Sequence, residues 1–216
     1  MNTFNGLRKA CHFGPTLIVT TIGFFFANYY WWEGPAYVIA FGIFTGQLVV
    51  GWTNDLYDYE DDLRHHRTNK PLVAGLITPN QLRTWIYFMT PFSFLANLAG
   101  PLGIKGGLVY MLGIAFGLAY NFYFKFTPAS PLPFAIAFAA LPSCTAISKE
   151  ITPPTWMWLG GALLGMAAHF INVIKDMDQD QQSGINGLPQ RLGKTKSIFA
   201  AAALIAAGLA SLFIFN

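Results

Sequence analysis

The chain has 216 residues, of which 54% are hydrophobic and 11% charged, with a formal net charge of +3. A soluble domain carries about 25% charged residues, so this composition excludes an ordinary soluble fold and indicates a polytopic helical membrane protein. The small, dispersed positive balance gives no reason to expect nucleic acid as a partner.

In chain order, Arg8 and Lys9 run directly into apolar sequence with no small-residue cleavage pattern, so no removable signal segment is expected. Seven apolar stretches come next, near 14–32, 36–53, 80–99, 106–124, 130–148, 155–173 and 197–215. Each is close to the length needed to cross about 30 Å of hydrocarbon. Pro91 falls inside the third and should kink it. The expectation is an all-α, polytopic transmembrane helical bundle of about seven spans, forming a single domain over 1–216. Cys11 and Cys144 fall near opposite membrane faces and read as small packing residues, not a disulfide.

Orientation follows from the basic residues. Arg8, Lys9, Arg64, Arg67, Lys70, Arg83, Lys125, Lys175, Arg191, Lys194 and Lys196 fall on one side, and Lys105 and Lys149 on the other. The N-terminus is therefore expected to be cytoplasmic. Trp31, Trp32, Trp156 and Trp158 sit where an outer aromatic belt would lie.

Of the 10 acidic residues, all but Glu33 and Glu150 sit in two short clusters. The first reads Asn54-x-x-x-Asp58-x-x-x-Asp62 and the second Asn172-x-x-x-Asp176-x-x-x-Asp180. A spacing of four places each set on one helix face. Both sets close an even-numbered span on the cytoplasmic side and lead into a basic loop. That symmetry reads as an internal pseudo-repeat, with motifs at 54–62 and 172–180 and a site where the copies meet.

Ionisable groups at the ends of membrane helices are functional by default. Mg²⁺ prefers oxygen ligands, keeps several waters, and is commonly held by one or two carboxylates plus substrate phosphates. Asp58, Asp62, Asp176 and Asp180 fit that chemistry as metal ligands and catalytic groups; Asn54 joins them as a metal ligand, since the Asn54 and Asn172 amides can add a neutral oxygen or position a water. Asp55, Asp61 and Asp178 lie off the main ridge, in supporting places, and Glu60 and Asp61 also read as solvated loop charges. A diphosphate bound there needs direct cationic contacts, and Arg suits bidentate phosphate binding. Arg67, Lys70, Lys125, Lys175 and Arg191 are the candidates. The alternative for each is topology or, for Lys125, snorkelling at a helix end. Tyr57, Tyr120 and Tyr123 are the rings nearest the clusters and could stabilise an allylic cation. His169, one turn before Asn172, reads as a packed helix histidine.

These residues resemble the UbiA superfamily of intramembrane prenyltransferases over essentially the whole chain. The family's N-D-x-x-D-x-x-x-D motif is matched by residues 54–62, and its R-x-x-K-P element by Arg67-Thr68-Asn69-Lys70-Pro71. The second D-x-x-x-D is matched by Asp176–Asp180, and G-x-x-x-L-P-x-R-L-G by residues 184–193. The segment from Tyr120 to Lys125 is also similar. The resemblance implies a helical bundle around a cavity and a pair of Mg²⁺ ions bridging the Asp motifs to a prenyl diphosphate. It also implies a tail tunnel open to membrane lipid. Asn54, Asn172, Tyr120 and the basic residues above would bind the diphosphate. Departure of diphosphate would leave an allylic cation for an aromatic or lipid-soluble acceptor to attack. Hydroxybenzoate, naphthoate, homogentisate, a chlorin and a glycerol phosphate all serve as acceptors in the family.

The chain departs from the family pattern in two ways. The last two family spans are expected to be absent, leaving truncation or closure by oligomerisation as readings. Val173 stands where an Asp is frequent in the family. Other readings stay open: a terpene cyclase with no external acceptor, a non-catalytic family member, and a cation transporter. The last is disfavoured because no acidic residues continue a path through the spans.

Overall fold

A computed structural model describes residues 3–215. Among them the secondary structure is helical, and the chain forms two compact units, Met1–Gly107 and Leu108–Asn216.

The first unit opens with α1 (Thr3–Ala10) and α2 (Phe13–Tyr30), bent by 65° at their junction. His12 makes the corner with a left-handed φ of 50°, and Thr16 Oγ1 donates to the Cys11 carbonyl at 2.7 Å. That corner lies against Gly51 of α3 (Glu33–Arg64), where an added Cβ would come within 2.7 Å of the Cys11 carbonyl oxygen. Trp52, the next residue, donates its indole N–H to the Leu7 carbonyl at 2.9 Å.

At 1.5 Å per residue, α3 is about 48 Å long, more than a bilayer core needs. Its apolar part, near 36–53, gives way to polar turns that continue the same helix to Arg64. The whole first acidic motif is therefore helical, where a loop was expected for Glu60 and Asp61. The chain then folds back through turns at 65–77. Leu72 and Ile77 of this segment are buried with Ala10, Cys11, Leu48, Trp52 and Leu82. This apolar anchor pins the loop bearing Arg67 and Lys70 under α1 and against α3. Next, α4 (Pro79–Ala99) starts on a full capping box: Gln81 N–H donates to Thr78 Oγ1 and Thr78 N–H returns to the Gln81 side chain. Pro79 at the first turn costs no hydrogen bond, and Pro91 lies inside the helix as expected.

The unit boundary falls within α5 (Gly103–Phe122). In the second unit a 3₁₀ turn (Phe124–Phe126) leads to α6 (Leu132–Ile147), then α7 (Thr155–Gln182), the short α8 (Leu188–Leu192) and α9 (Lys194–Ile214). α7 packs against both α6 and α9. Small residues allow these approaches: a Cβ on Gly161 would collide with the Phe138 carbonyl, and one on Gly160 would meet Ser211 Oγ at 2.7 Å.

Every one of the seven apolar stretches is a helix. Four of them, α3, α5, α7 and α9, are each long and apolar enough to cross a membrane, and the bent α1–α2 pair makes a fifth if counted as one span. α6 is apolar but has 16 residues, and α4 is diluted by Asn80, Gln81, Thr84, Thr90, Ser93 and Asn97. The chain is an integral membrane protein.

Candidate functional site

The first acidic motif occupies the last three turns of α3. Asn54 Nδ2 donates to Asp58 Oδ2 at 2.6 Å, so the four-residue ridge is formed as the spacing predicts. Asp58 is half-buried, whereas Asp55 and Asp62 are 2% and 1% exposed. Two buried carboxylates two turns apart are costly unless compensated. The turn after α3 supplies the compensation. Arg67 donates to Asp62 Oδ1 at 2.7 Å and reaches Asp61 at 3.3 Å. Lys70 donates to Asp55 Oδ1 at 3.1 Å and lies 3.7 Å from Asp62 Oδ2. Local backbone bonds set this geometry: Arg67 N–H donates to the Asp62 carbonyl, and Lys70 N–H to the Arg67 carbonyl.

Burial pulls the Lys70 pKa down, but the Asp55 and Asp62 carboxylates outweigh it and hold Lys70 above its ordinary value. Lys70 is thus an ammonium throughout the physiological range. His12 also reaches this cluster, with Nε2 3.3 Å from Asp55 Oδ1. The other Asp55 oxygen, Oδ2, is buried with no hydrogen-bond partner.

Asp55 and His12 are the residues that the four-residue ridge missed. Asp55 and Asp62 are seven apart, which is also one helix face, so that pairing was legible. His12 was not, because it arrives from the corner between α1 and α2.

The second motif closes α7 in a different setting. Asn172, Lys175, Asp176 and Asp178 are exposed, and Asp180 is half-buried. Gln190 Nε2 donates to Asp180 Oδ2 at 2.8 Å. Arg191 is exposed and donates through Nε to the Asn186 carbonyl at 2.9 Å. Val173 is buried and packs. Lys125 sits on the 3₁₀ turn, not on α5, and is 4% exposed, with Nζ 5.3 Å from the Phe126 ring centroid. A lysine that buried is not snorkelling to an interface. Tyr120 contacts the rings of Phe134 and His169 at 5.1 and 5.4 Å. His169 is buried, as expected, with Nε2 3.0 Å from Ser130 Oγ. Tyr57 and Tyr123 are exposed.

Among the described residues no group of three or more His, Cys, Asp or Glu stands together as a metal cage. Mg²⁺ takes one or two carboxylates and completes its shell from water and phosphate. The donors of both motifs are carboxylate and amide oxygens, and Asp55 offers an unpartnered buried oxygen, so the residues fit such an ion.

The described residues thus form an all-helical membrane chain with two helix-end Asn/Asp ladders, the first braced by Arg67 and Lys70. The chain belongs to the UbiA prenyltransferase family, whose sequence pattern matches residues 16–216. Its fold is that of a UbiA homologue from Archaeoglobus fulgidus bound to GPP and Mg²⁺, with a TM-score of 0.81 at 15% identity over 95% of this chain and 76% of that one. The same homologue bound to DMAPP and Mg²⁺ gives 0.77 at 15% identity, over 95% of this chain and 75% of that one. A structure of digeranylgeranylglyceryl phosphate synthase gives 0.73 at 18% identity, over 98% and 76%. No curated protein has a matching sequence.

Proposed function

We propose that this protein is a Mg²⁺-dependent intramembrane prenyltransferase. It moves a prenyl group from a prenyl diphosphate to an aromatic or lipid-soluble acceptor through an allylic carbocation. The observation that carries this reading is the acid–base cluster at the end of α3, where Asp55 and Asp62 are buried against Lys70 and Arg67. Family membership and the prenyl diphosphates and Mg²⁺ in the Archaeoglobus homologue support it.

Asp58 and Asp62 of one motif and Asp176 and Asp180 of the other are assigned to a pair of Mg²⁺ ions, with Asn54 orienting Asp58 through its amide and Asn172 serving the second motif. Bound there, Mg²⁺ would neutralise the diphosphate and stabilise the charge that develops as it leaves. Arg67 offers a planar fork for a phosphate and Lys70 a point charge. Lys125, Lys175, Arg191 and Tyr120 are assigned to the same diphosphate. The apolar helices exclude water that would otherwise capture the cation. Both motifs and the N-terminus are assigned to the cytoplasmic side, and the two motif-bearing units to one duplicated design acting as a single domain.

The test is turnover by purified protein with geranylgeranyl diphosphate, with Mg²⁺ or EDTA, and with or without hydroxybenzoate. A prenylated product that needs both Mg²⁺ and acceptor supports the reading. Hydrocarbon or alcohol release without acceptor would replace it with a cyclase. Metal flux in proteoliposomes without any diphosphate would replace it with a transporter.

A further inference from the structure

Asp180 is the last carboxylate of the second motif and stands two residues before the C-terminus of α7. Its carboxylate accepts a 2.8 Å hydrogen bond from Gln190 Nε2, ten residues on in the chain. Gln190 is itself 8% exposed, so its amide is ordered by packing. It lies on α8, a five-residue helix too short to hold itself in place.

Three contacts seat α8. Ser130 Oγ accepts the Leu188 N–H at 3.0 Å and lies 3.0 Å from His169 Nε2, so one buried hydroxyl ties α8 to the middle of α7. Ser197 Oγ of α9 donates to the Pro189 carbonyl at 3.0 Å. Gly187 completes the fit, because a Cβ there would meet Ser130 Oγ at 2.7 Å and Gln190 Oε1 at 2.9 Å. The loop after α7 is thus a built bracket whose inward amide ends on Asp180.

We propose that Gln190 is a positioning residue: through its hydrogen bond it fixes the orientation of the Asp180 carboxylate for metal binding, and Ser130 seats the helix that carries it. This rests on the assignment of Asp180 as a metal ligand made above. Partners of metal-binding carboxylates commonly contribute about 10- to 100-fold in metal affinity or activity when removed. Gln190 makes a contact of that kind with Asp180. It touches neither substrate nor metal in this proposal.

The experiment measures Mn²⁺ binding by electron paramagnetic resonance on the full chain in detergent, with inorganic pyrophosphate present and no prenyl substrate. The variants are wild type, Gln190→Met, Asp180→Asn and the double variant. Met keeps the length of Gln without the donor. The expected result is a weakening of Mn²⁺ binding by about tenfold in Gln190→Met. Adding Gln190→Met to Asp180→Asn should give no further loss. Prenyl transfer should show the same split, with the Mg²⁺ concentration for half-maximal rate raised and kcat at saturating Mg²⁺ near wild type.

Equal Mn²⁺ affinity in wild type and Gln190→Met would overturn the positioning role while leaving the proposed function intact. So would an equal loss in the Asp180→Asn background. Absence of Mn²⁺ binding in wild type would overturn the metal assignment and this inference with it. If Gln190→Met does not fold, Gln190→Asn, which shortens the reach by one methylene, is measured in its place with the same outcomes.

Discussion

The two acidic motifs share one spacing and solve the problem of charge in opposite ways. At the end of α3 the carboxylates of Asp55 and Asp62 are buried, and fixed cations from the adjoining turn neutralise them. At the end of α7, Asp176 and Asp178 are exposed, and Asp180 is held by a neutral amide. The difference lies in the segment C-terminal to each helix. The 65–77 turn is anchored by Leu72 and Ile77 in an apolar cluster and delivers Arg67 and Lys70 rigidly. The segment after α7 delivers Gln190 and leaves Lys175 and Arg191 exposed. Sequence periodicity sets the faces, whereas the neighbouring loop decides whether a face becomes an ion-pair cluster or an open ladder.

If both motifs serve one reaction, the largest effects should ignore this difference. Asp58→Asn and Asp176→Asn are each expected to lower kcat by about 10²- to 10³-fold, the range for losing one group that stabilises developing charge. Diphosphate release under saturating Mg²⁺ reads this. A large loss in Asp58→Asn alone would mean that the exposed motif is an acidic helix end and not half of a site.

Stability should separate the motifs sharply. Lys70→Met leaves Asp55 buried with its main counter-ion gone. The expected cost is about 3 kcal/mol, the low end for breaking a buried pair because Lys70 is 24% exposed. Asp176→Asn, at an exposed position, should change stability by no more than about 0.5 kcal/mol. Thermal unfolding in one detergent compares the two directly, and similar losses would end the distinction between a buried and an open motif.

Within the second region, Gly187→Ala probes whether the bracket around Asp180 is rigid. The new methyl would meet Ser130 Oγ at 2.7 Å. That hydroxyl cannot move aside without loosening its contacts with Leu188 N–H and His169. A loss of about 1–2 kcal/mol is expected, as for overpacking in a tight site. An unchanged melting temperature would show that α8 shifts easily.

Much of the design was legible in the chain. Seven apolar stretches gave seven helices because a membrane span must satisfy its backbone internally. The Asn54–Asp58 contact is a direct consequence of a four-residue spacing. The membrane-crossing length of every stretch was less legible, because α4 carries polar residues that packing against α3 accommodates. One of these, Asn97, donates its buried amide to the Gly42 carbonyl at 3.0 Å. Asp55 falls off the i, i+4 ridge, and only its i, i+7 relation to Asp62 signals that the two share a face. His12, Ser130 and Gln190 carry no local signal: each reaches its partner from a separate segment, and no periodicity within one helix encodes such a meeting. Lys125 looks in sequence like the end of a helix, but the chain tightens to a 3₁₀ turn there and buries it.

The smallest effect is also the most specific to the first motif. Burial alone would lower the Lys70 pKa, and the Asp55 and Asp62 carboxylates raise it above the ordinary 10.5. A lysine whose folded pKa exceeds its unfolded one stabilises the fold at every pH below the unfolded value. That stabilisation is lost as pH rises through the folded value. The melting temperature should therefore be insensitive to Lys70 from neutral pH to about 10 and fall above 10.5 as the buried carboxylates lose their counter-ion. Lys70→Arg should remove this alkaline step, because a guanidinium stays charged there, and Lys70→Met should lack it, having lost the group already. Gln190 does not titrate, so the Asp180 contact should contribute no such step. An alkaline fall of equal size in wild type and Lys70→Arg would mean that other lysines and tyrosines set it, and that the ion pairs at the end of α3 are not the element that distinguishes the two motifs.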